Sequence, residues 1–524
     1  MSRVRWLALA VGGIVVYGLA AVWVRSPGYM DADYYAANAT EIVRGHGLRE
    51  SFLWNYLDNP TGLPHPSHLY WMPLTSIVAA AGMALWGEGF RGAQLLFVLL
   101  AAALPAATAA LSLRTVRRPA FAWLSGCLAL FPGFFLPYFV TTDSFILFAY
   151  TGGLALWLTA EASARPSGGL WLAAGAAIGL SHLARADGVL LLVPALMAAL
   201  GAERPRGRAL GALFLGYLVV MAGWWARNIA ATGALLAPGI SRTLWLTRYD
   251  ELFAYPGSLL TPGHLWSSGL GAILGVRAQA LGENLMTLIA VDGLVFLLPL
   301  MLTGAWHMRR HPLVRASGVY AGILLVLMSV VFPFPGARGG TFHSSAALLP
   351  VLWTLAPVGL EKAVGWGARV RRWPAEQAHR VFATGAVVLA AALTIGLYVP
   401  KVIGPRAALP MWDVSQRAHA EAAERLAALD AHPGIVAINN PPGFHLASGL
   451  PAVVIPDGDA ATLRAVVDRF GVSWVILDAN HPAGLGALYA DPESAAWLEL
   501  GASFRDEQGR EIFLLRVVSS GGDG

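Results

Sequence analysis

Two aspartates one residue apart, Asp31 and Asp33, lie in the segment YMDADYYAANATEIVRGHG, directly after the first apolar run of the chain. Aspartate is favoured at the N-terminus of a helix, where its carboxylate accepts backbone N–H groups and opposes the helix dipole. One cap is enough for one helix, so capping accounts for only one of the two carboxylates. On a turn that enters a helix both side chains can face one cavity, where a carboxylate takes a proton from an attacking hydroxyl or binds a divalent cation.

A second group of polar side chains follows in LPHPSHLYWMP, where prolines stiffen the chain around His65 and His68. One interpretation is an aromatic and histidine belt at a membrane surface. The alternative is that His65, His68 and Tyr70 bind a phosphate or a hydroxyl-rich group. Together, Asp31, Asp33 and His65 also offer ligands for a divalent cation such as Mg²⁺, Mn²⁺ or Zn²⁺, although their spacing is not diagnostic.

Further polar side chains stand at the ends of apolar runs, namely Asp143 in TTDSF, Arg185 and Asp187 in SHLARADG, Asn228 in WWARNIAATG, and Arg338 and His343 in FPGARGGTFHSS. Each has an ordinary role open to it, as a helix cap, an ion pair across a tight turn or an anchor at the membrane interface. Ionisable groups at such positions usually face a cavity in a helix bundle. Arginine suits bidentate phosphate binding. Arg185, Arg338 and His343 are therefore candidate phosphate contacts, and Asp143, Asp187 and Asn228 are further site candidates.

The elements that must position these residues are membrane helices. The chain has 524 residues, 56% of them hydrophobic and 13% charged, and it contains repeated apolar runs long enough to cross a bilayer. Its net charge of +5 comes from arginines clustered in short connectors, which is a topology signal and no sign of nucleic-acid binding. The single cysteine, Cys127, excludes a disulfide or a cysteine metal cluster within one chain. The N-terminal apolar run is long and lacks a small-residue cleavage site, so we expect a retained span rather than a cleaved signal peptide.

Eleven spans are expected, at residues 6–24, 92–113, 119–140, 144–160, 169–183, 187–201, 209–227, 285–306, 313–332, 345–364 and 381–400. The basic connectors, at 114–118, around Arg165, at 203–208, at 307–315 and at 367–380, should all be cytoplasmic. All of these connectors lie on one side of the membrane only if the short apolar segment 72–87 does not cross it. That segment must then lie in the interface or re-enter. The N-terminus is then inside and the C-terminus outside.

This topology puts most of the candidate polar residues on the extracytoplasmic face of a cell (inner or plasma) membrane. That face receives an outer loop at residues 25–91, which we call the first loop, together with the turns at 141–143, 184–187 and 333–344, the long loop 228–284 and the C-terminal segment. An active site is expected there.

The tail, residues 401–524, differs in composition from the span-containing part, residues 1–400. Short β-rich runs (IVAINN, AVVIP, SWVILD and EIFLLRVV) alternate with the helical patterns DVSQRAHAEAAERLAALDAHPG and DAATLRAVVDRFG. This alternation predicts a small extracytoplasmic α/β domain. No glycine fingerprint follows a strand, so nucleotide binding is not supported, and a structural or acceptor-guiding role is expected.

In their order along residues 1 to about 400, five motifs resemble those of the GT-C class of integral-membrane glycosyltransferases, which includes the protein O-mannosyltransferases and the lipid A aminoarabinose transferase. The motifs are the acidic pair in MDADYYAANA, LPHPSHLYWMP, the acidic turn TTDSF, the LARADG turn and WWARNIAATG. The resemblance implies a mainly α, polytopic transmembrane bundle with interfacial helices. His65 stands where many members carry a lysine.

The resemblance also implies a function. The enzyme would take a sugar from a polyprenyl-phosphate donor in the membrane and transfer it, with inversion, to an acceptor on the outer face. Asp31 or Asp33 would be the general base, with Asp31 preferred as the first acid of the motif, and Arg338 would hold the lipid phosphate. The acceptor stays open between protein, lipid and glycan.

Two other functions fit a polytopic protein. A transporter or lipid flippase tends to place ionisable groups near the bilayer midplane and often shows repeat symmetry, whereas here the acids lie at loop positions and no repeat is evident. A polysaccharide polymerase or ligase would share the lipid-linked donor but would use arginine and histidine instead of an acidic pair.

Overall fold

The structure, a computed structural model, describes residues 1–165, 167–201 and 205–518. Part of the basic connector 203–208 lies outside these residues. The chain is mainly helical, with a small sheet near its C-terminus, which confirms the predicted fold class. The first third of the chain contains α1 (Arg3–Trp23), α2 (Met30–Val43), β1 (Arg49–Glu50), β2 (Phe52–Leu53), β3 (His65–Pro66), α3 (Leu74–Trp86), α4 (Phe90–Val116), α5 (Pro119–Ala129), α6 (Leu136–Phe139) and α7 (Phe145–Ala164).

The remaining helices of the bundle are α8 (Gly168–Ala184), α9 (Leu192–Gly201), α10 (Arg206–Thr232), α11 (Pro262–Ser267), α12 (Leu270–Met286), α13 (Leu298–His307), α14 (Pro312–Val326), α15 (Pro333–Pro335), α16 (Thr341–Ser345), α17 (Leu349–Arg371) and α18 (Ala375–Tyr398). The tail contains α19 (Val414–Leu429), β4 (Ile435–Ile438), α20 (Pro441–Ser448), β5 (Ala452–Val454), α21 (Ala460–Phe470), β6 (Val472–Leu477), α22 (Gly486–Ala490), β7 (Leu498–Arg505) and β8 (Glu511–Val517).

Seven helices among the described residues are long and apolar enough to cross a membrane, and an eighth span is possible if a bent pair counts as one. That pair, Pro119–Ala129 with Gly133–Phe139, bends by 55°. Counting the bent pair, eight of the eleven predicted spans therefore have helices of spanning length. The runs at 169–183 and 187–201 form shorter apolar helices, and the run at 285–306 is broken by irregular turns before α13 begins. Hydropathy registers apolar length but does not show where a helix stops.

The basic connectors that can be located share one end of the bundle, which we call the basic end. Arg118, between α4 and α5, forms a 2.6 Å ion pair with Glu361 near the end of α17. Arg5, at the start of α1, lies over the ring of Trp123 on α5. The N-terminus and two separate basic connectors therefore lie together, as a common cytoplasmic location requires.

The first loop leaves and re-enters the bundle at the opposite end, which we call the site end. Arg91 and Gln94, at the start of α4, donate to the carbonyls of Ala21 and Val24 at the end of α1, each at 2.8 Å. The chain between α1 and α4 thus makes an even number of crossings. The short helix α3 within it does not by itself change the side of the chain.

The sheet in the tail has six strands in the order β2–β5–β4–β6–β8–β7, with β2, β5, β4 and β6 parallel and β8 and β7 antiparallel. Its edge strand β2 comes from the first loop, where Phe52 and Leu53 pair with Ala452 and Val453. The predicted α/β arrangement is present, and it is completed by a strand from the first loop, some 400 residues earlier in the chain.

Side chains alternate between the two faces of the sheet, as the pleat requires. Val436 and Ile438 share a buried cluster with α19, α20 and also with α2, whereas Ala437 packs with α21 on the other face. The helix that carries the acidic pair is therefore held against the sheet as well as against the bundle.

Close helix packing in the bundle depends on small residues. A Cβ atom added at Gly216 of α10 would overlap the carbonyl oxygen of Leu172 on α8, whereas a Cβ atom at Gly211, also on α10, would meet nothing within 4 Å. We expect Gly216→Ala to lower the free energy of unfolding by about 1–3 kcal/mol, because the two helices must separate. Gly211→Ala should be neutral or stabilising by up to about 1 kcal/mol. Thermal unfolding in detergent measures both, and equal midpoints for the two variants would contradict this packing.

Candidate active site

The acidic pair lies in the first turn of α2, and its two members face different partners. Helical residues two apart point about 200° away from each other around the axis. Asp31 faces the bundle, and Asp33 faces the tail, where Asn440 donates a 2.8 Å hydrogen bond to its Oδ2. The expectation that both carboxylates enter one cavity is therefore wrong, because α2 is already helical at both positions.

Asp31 belongs to a cluster with Asp143 and His343. The Nε2 atom of His343 lies 3.0 Å from Oδ2 of Asp143 and 3.8 Å from Oδ2 of Asp31. One ligand atom from each residue lies within 4.8 Å of the other two. Three residues that are far apart in the sequence thus place two carboxylates and one imidazole around a common point.

The imidazole of His343 is held in one orientation. Its Nδ1 lies 2.8 Å from the carbonyl oxygen of Gly339, so this nitrogen donates a proton and Nε2 faces the carboxylates. The ring stacks on Phe145 with the centroids 3.9 Å apart. Such a backbone contact is the usual way in which a histidine that binds a metal is oriented.

Asp143 is the buried member of the cluster, with its side chain 1% exposed. It accepts hydrogen bonds from the hydroxyl of Tyr29 and from the backbone N–H of Ser144. Burial raises the pKa of Asp143, but the charge and hydrogen bond of His343 outweigh it, so the net pKa is lowered. Asp143 therefore stays ionised and fixed.

Asp31 is the accessible member of the cluster, with its side chain 32% exposed. Burial among its neighbours, and then the charge of Asp143, raise the pKa of Asp31 to about 6, against the opposing charges of His343 and Arg185. A carboxylate with such a pKa is ionised at neutral pH and is a stronger base than an ordinary aspartate.

Arg185 and Asp187 pair with each other across the turn after α8, as predicted. The guanidinium binds both carboxylate oxygens, at 3.1 and 3.2 Å, and its Nη1 lies 3.4 Å from the hydroxyl of Ser144, next to Asp143. The hydroxyl of Ser344 donates to Asp187. This ion pair lies beside the cluster, and its arginine is partly compensated by its own aspartate.

His65 and His68 have structural partners, which corrects their predicted phosphate role. His65 lies 3.0 Å from Asp58 and 3.7 Å from Glu50; burial lowers its pKa, but the bonds to these acids raise it to about 9, and they also neutralise its charge. Both ring nitrogens of His68 bond to serine hydroxyls, and burial lowers its pKa to about 3. Neither ring offers a free charge to a phosphate.

The predicted metal ligands Asp31, Asp33 and His65 do not come together, because Asp33 and His65 bond to other partners. Asn228 is likewise structural: its amide oxygen accepts from Arg227, and its amide nitrogen donates to the carbonyl of Leu235, which closes the turn after α10.

Arg338 and Tyr70 lie near the cluster without joining it. Arg338 is exposed, and its guanidinium lies 4.9 Å from the ring centre of Tyr249. Burial, followed by the charge of Asp31, raises the pKa of Tyr249 to about 12. Tyr70 packs edge-on against Trp54, and the charges of Asp31 and Arg185 act on its hydroxyl.

One basic residue near the site was missed by sequence reasoning. Lys401 follows the last apolar run and is one of only two lysines in the chain. Its amine lies 4.2 Å from the ring centre of Phe134 and 5.3 Å from that of Tyr138, and Tyr138 in turn packs against Tyr29. The rarity of lysine was the only signal in the sequence that pointed to it.

The architecture matches solved structures of membrane transferases. ArnT from Cupriavidus metallidurans, bound to undecaprenyl phosphate, aligns over 100% of both chains with 15% identity and a TM-score of 0.58. The Archaeoglobus fulgidus oligosaccharyltransferase in the apo form aligns over 90% of this chain and 69% of its own, with 14% identity and a TM-score of 0.56. No protein-family profile and no curated protein sequence matches the chain.

These neighbours define the class of fold. The chain has the fold of the GT-C glycosyltransferases, which ArnT and the archaeal oligosaccharyltransferase share, and it is a multi-pass membrane protein. At identities near 15% the likeness establishes the fold, and the activity has to be argued from the site.

The environment of Asp33 predicts a pH effect on stability. Burial raises the pKa of Asp33 to about 7, against about 4 for an exposed aspartate. Its contribution to stability is present below about pH 4 and is lost as the pH rises through 7, because the unfolded chain gives up this proton first. Asp33→Asn keeps an acceptor for Asn440 but cannot titrate. The unfolding midpoint of the variant relative to that of the wild type should therefore rise between pH 4 and 7.

The control for this measurement is Asp468→Asn, the same change at an exposed position on α21. A difference between Asp33→Asn and the wild type that stays constant from pH 4 to 8 would show that the pKa of Asp33 is not raised in the folded protein.

Proposed function

We propose that this protein is a membrane glycosyltransferase that moves a sugar from a polyprenyl-phosphate donor to a hydroxyl group of an acceptor. The observation that carries the proposal is the position of Asp31, an accessible carboxylate of raised pKa, beside Asp143 and His343 at the site end of a GT-C fold. One solved structure with this fold holds undecaprenyl phosphate. The same fold with an acidic cluster favours transfer over transport or a polymerase that works with arginine and histidine.

Asp31 acts as the general base. It accepts the proton of the acceptor hydroxyl while the acceptor oxygen bonds to the anomeric carbon of the donor sugar. The bond between that carbon and the phosphate oxygen breaks on the opposite side, its electrons leave with the lipid phosphate, and the configuration at the carbon inverts. Since the leaving group is already a good one, the protein has mainly to position the reactants and to supply a base and positive charge.

The positive charge for the lipid phosphate comes from basic groups at the site end. Arg338 is exposed beside Tyr249, and Lys401 lies over the rings of Phe134 and Tyr138. Neither forms an ion pair in the part of the chain that the structure describes. Both charges are therefore available, and they assume the role that His65 cannot fill.

The cluster is also suited to a divalent cation. Two carboxylates and an imidazole whose Nδ1 is bonded to a carbonyl are the ligand types that Mn²⁺ or Zn²⁺ takes, and Mg²⁺ would use the carboxylates. When bound, such a cation would add positive charge next to the phosphate. Asp143, His343 and Asp31 would hold it. Asp31, the accessible member, could contact either this cation or the acceptor hydroxyl.

The reaction takes place on the extracytoplasmic face. The basic end carries the arginine-rich connectors and is therefore cytoplasmic, which puts the site end, the first loop and the tail outside. A lipid carrier can keep its chain in the bilayer there while its headgroup meets an acceptor protein, lipid or glycan from the aqueous side.

The first test is transfer by the purified protein from a panel of polyprenyl-phosphate sugars. Asp31→Asn should lower kcat by at least about 10²-fold, the usual contribution of a general base. In the wild type, kcat/KM should rise as the pH increases through about 6, because Asp31 must lose its proton, and this limb should vanish in the variant. Asp468→Asn on α21 is the matched control.

Two outcomes would change this assignment. Full activity of Asp31→Asn would remove Asp31 as the base, and loss of activity in Asp33→Asn alone would give that role to Asp33. Absence of transfer from every donor, with an intact fold, would contradict the proposed activity.

The second test concerns the cation. We expect the purified protein to contain a bound divalent metal, chelation to lower transfer, and added Mn²⁺, Mg²⁺ or Zn²⁺ to restore it. His343→Ala should lower the metal content measured by elemental analysis, whereas His432→Ala, at an exposed position, should not. Full activity in metal-free protein would leave His343 as an ion-pair partner of Asp143.

A further inference from the structure

The sheet of the tail has a topological switch point with a pocket. From β4 the chain runs through α20 to β5 on one side of β4, and then through α21 to β6 on the other side. The connections therefore diverge between the carboxyl ends of β4 and β6, and ligands of open α/β sheets bind in the crevice that such a divergence creates. A pocket lies there, with about 540 Å³ of space that includes the open solvent at its mouth.

The walls of this pocket, which we call the switch pocket, combine apolar and polar surfaces. Ile438 and Ile476, at the ends of the two strands, form part of the apolar floor, and α19 closes one side. Polar groups converge from three separate segments, and these are His419, Asp478, Asn480, Asp506 and Arg510. An apolar enclosure with a few converging polar groups is the usual composition of a small-molecule site.

His419 is the feature that points to a ligand. The residue is 9% exposed, and its Nδ1 is buried with no hydrogen-bond partner among the described residues. Burial lowers the pKa of His419 to about 4, so the ring is neutral and one nitrogen can accept a hydrogen bond. A buried polar atom without a partner is costly and rare, and a ligand hydroxyl or an ordered water would satisfy it.

The other polar groups define the chemistry of that ligand. Oδ1 of Asp478 accepts from the backbone N–H of Asn480 at 2.8 Å, which leaves its second oxygen available. Arg510 is paired with Asp506 at 2.7 Å, so its charge is compensated. The pocket thus offers a carboxylate, a neutral imidazole and an amide but no uncompensated positive charge. Such a set suits hydroxyl groups and disfavours phosphate or other anions.

We propose that the switch pocket binds a hydroxyl-rich ligand of the size of one pyranose ring. The ligand is either a free sugar or one sugar unit of an acceptor glycan, and both present the same hydroxyls to His419 and Asp478. The proposal that a sugar binds here does not depend on the proposed transfer reaction. The identification of that sugar as part of the acceptor rests on that reaction.

The switch pocket is connected to the helix of the candidate active site through one glycine. A Cβ atom at Gly443 of α20 would lie 2.7 Å from Oδ2 of Asp33 and 2.8 Å from Cε1 of His419. Asp33 also accepts from Asn440, which caps the start of α20. A ligand against His419 is therefore separated from α2 by a single backbone segment, and an acceptor glycan held there would lie alongside the helix that carries Asp31.

The test is a binding measurement on the full-length protein in detergent without any donor lipid. Methyl pyranosides and short oligosaccharides are titrated while saturation-transfer NMR and calorimetry detect binding. We expect one pyranose stereochemistry to bind, and His419→Leu and Asp478→Asn each to weaken it at least tenfold. His432→Leu and Asp468→Asn are matched exposed controls in the same part of the chain and should bind normally.

Each outcome decides the proposal. No binding of any pyranoside at millimolar concentration overturns it, as does binding that survives both pocket variants. Binding of an alkylammonium salt but of no neutral sugar would replace it with a cation site at Asp478. Tighter binding of an oligosaccharide than of its terminal unit identifies the acceptor as the source, and equal binding identifies a free sugar. Since no transfer takes place in this measurement, its failure is distinct from failure of the proposed enzyme activity.

Discussion

The packing of α2 between two bodies is the constraint on which the site depends. The helix opens with small and acidic residues. Ala32, Ala36 and Ala39 are buried, and Ala39 belongs to the core cluster of the bundle. Tyr34 and Tyr35 pack into the cluster that covers one face of the sheet. With both faces occupied, the helix has no rotational freedom, and the roles of its two aspartates follow from the angle between them.

Most charged groups at the site end have a partner close by. Arg185 and Asp187 compensate each other, and Oδ2 of Asp143 lies 3.0 Å from Nε2 of His343. Burial, and then the charge of Asp143, raise the pKa of Asp31 although positive groups lie near it. A site with a surplus of negative charge attracts a proton or a cation. The same carboxylate can therefore act as a base or as a metal ligand.

Much of this arrangement is local enough to be predicted from the sequence. Apolar runs and clustered arginines predicted the bundle and its common basic end. The positions of Asp31, Asp143 and His343 at the ends of runs put them on the same face of the membrane, among several other candidates. Other features depend on contacts across the chain. The partner of Asp33 is 407 residues away, and the acids that occupy His65 belong to loop segments without regular pattern. Helix breaks such as the bend after α5 depend on how neighbours pack, which composition does not report.

The edge strand β2 ties the beginning of the chain to its end. Because β5, its partner, is made only after all the membrane helices, the first loop has no complete sheet to join until synthesis of the chain is nearly finished. Long-range pairing of this kind is slow to form, since much of the chain must be ordered before the contact is gained. The helix that bears Asp31 is therefore assembled late, and a chain interrupted before the tail would insert into the membrane without building a competent catalytic centre.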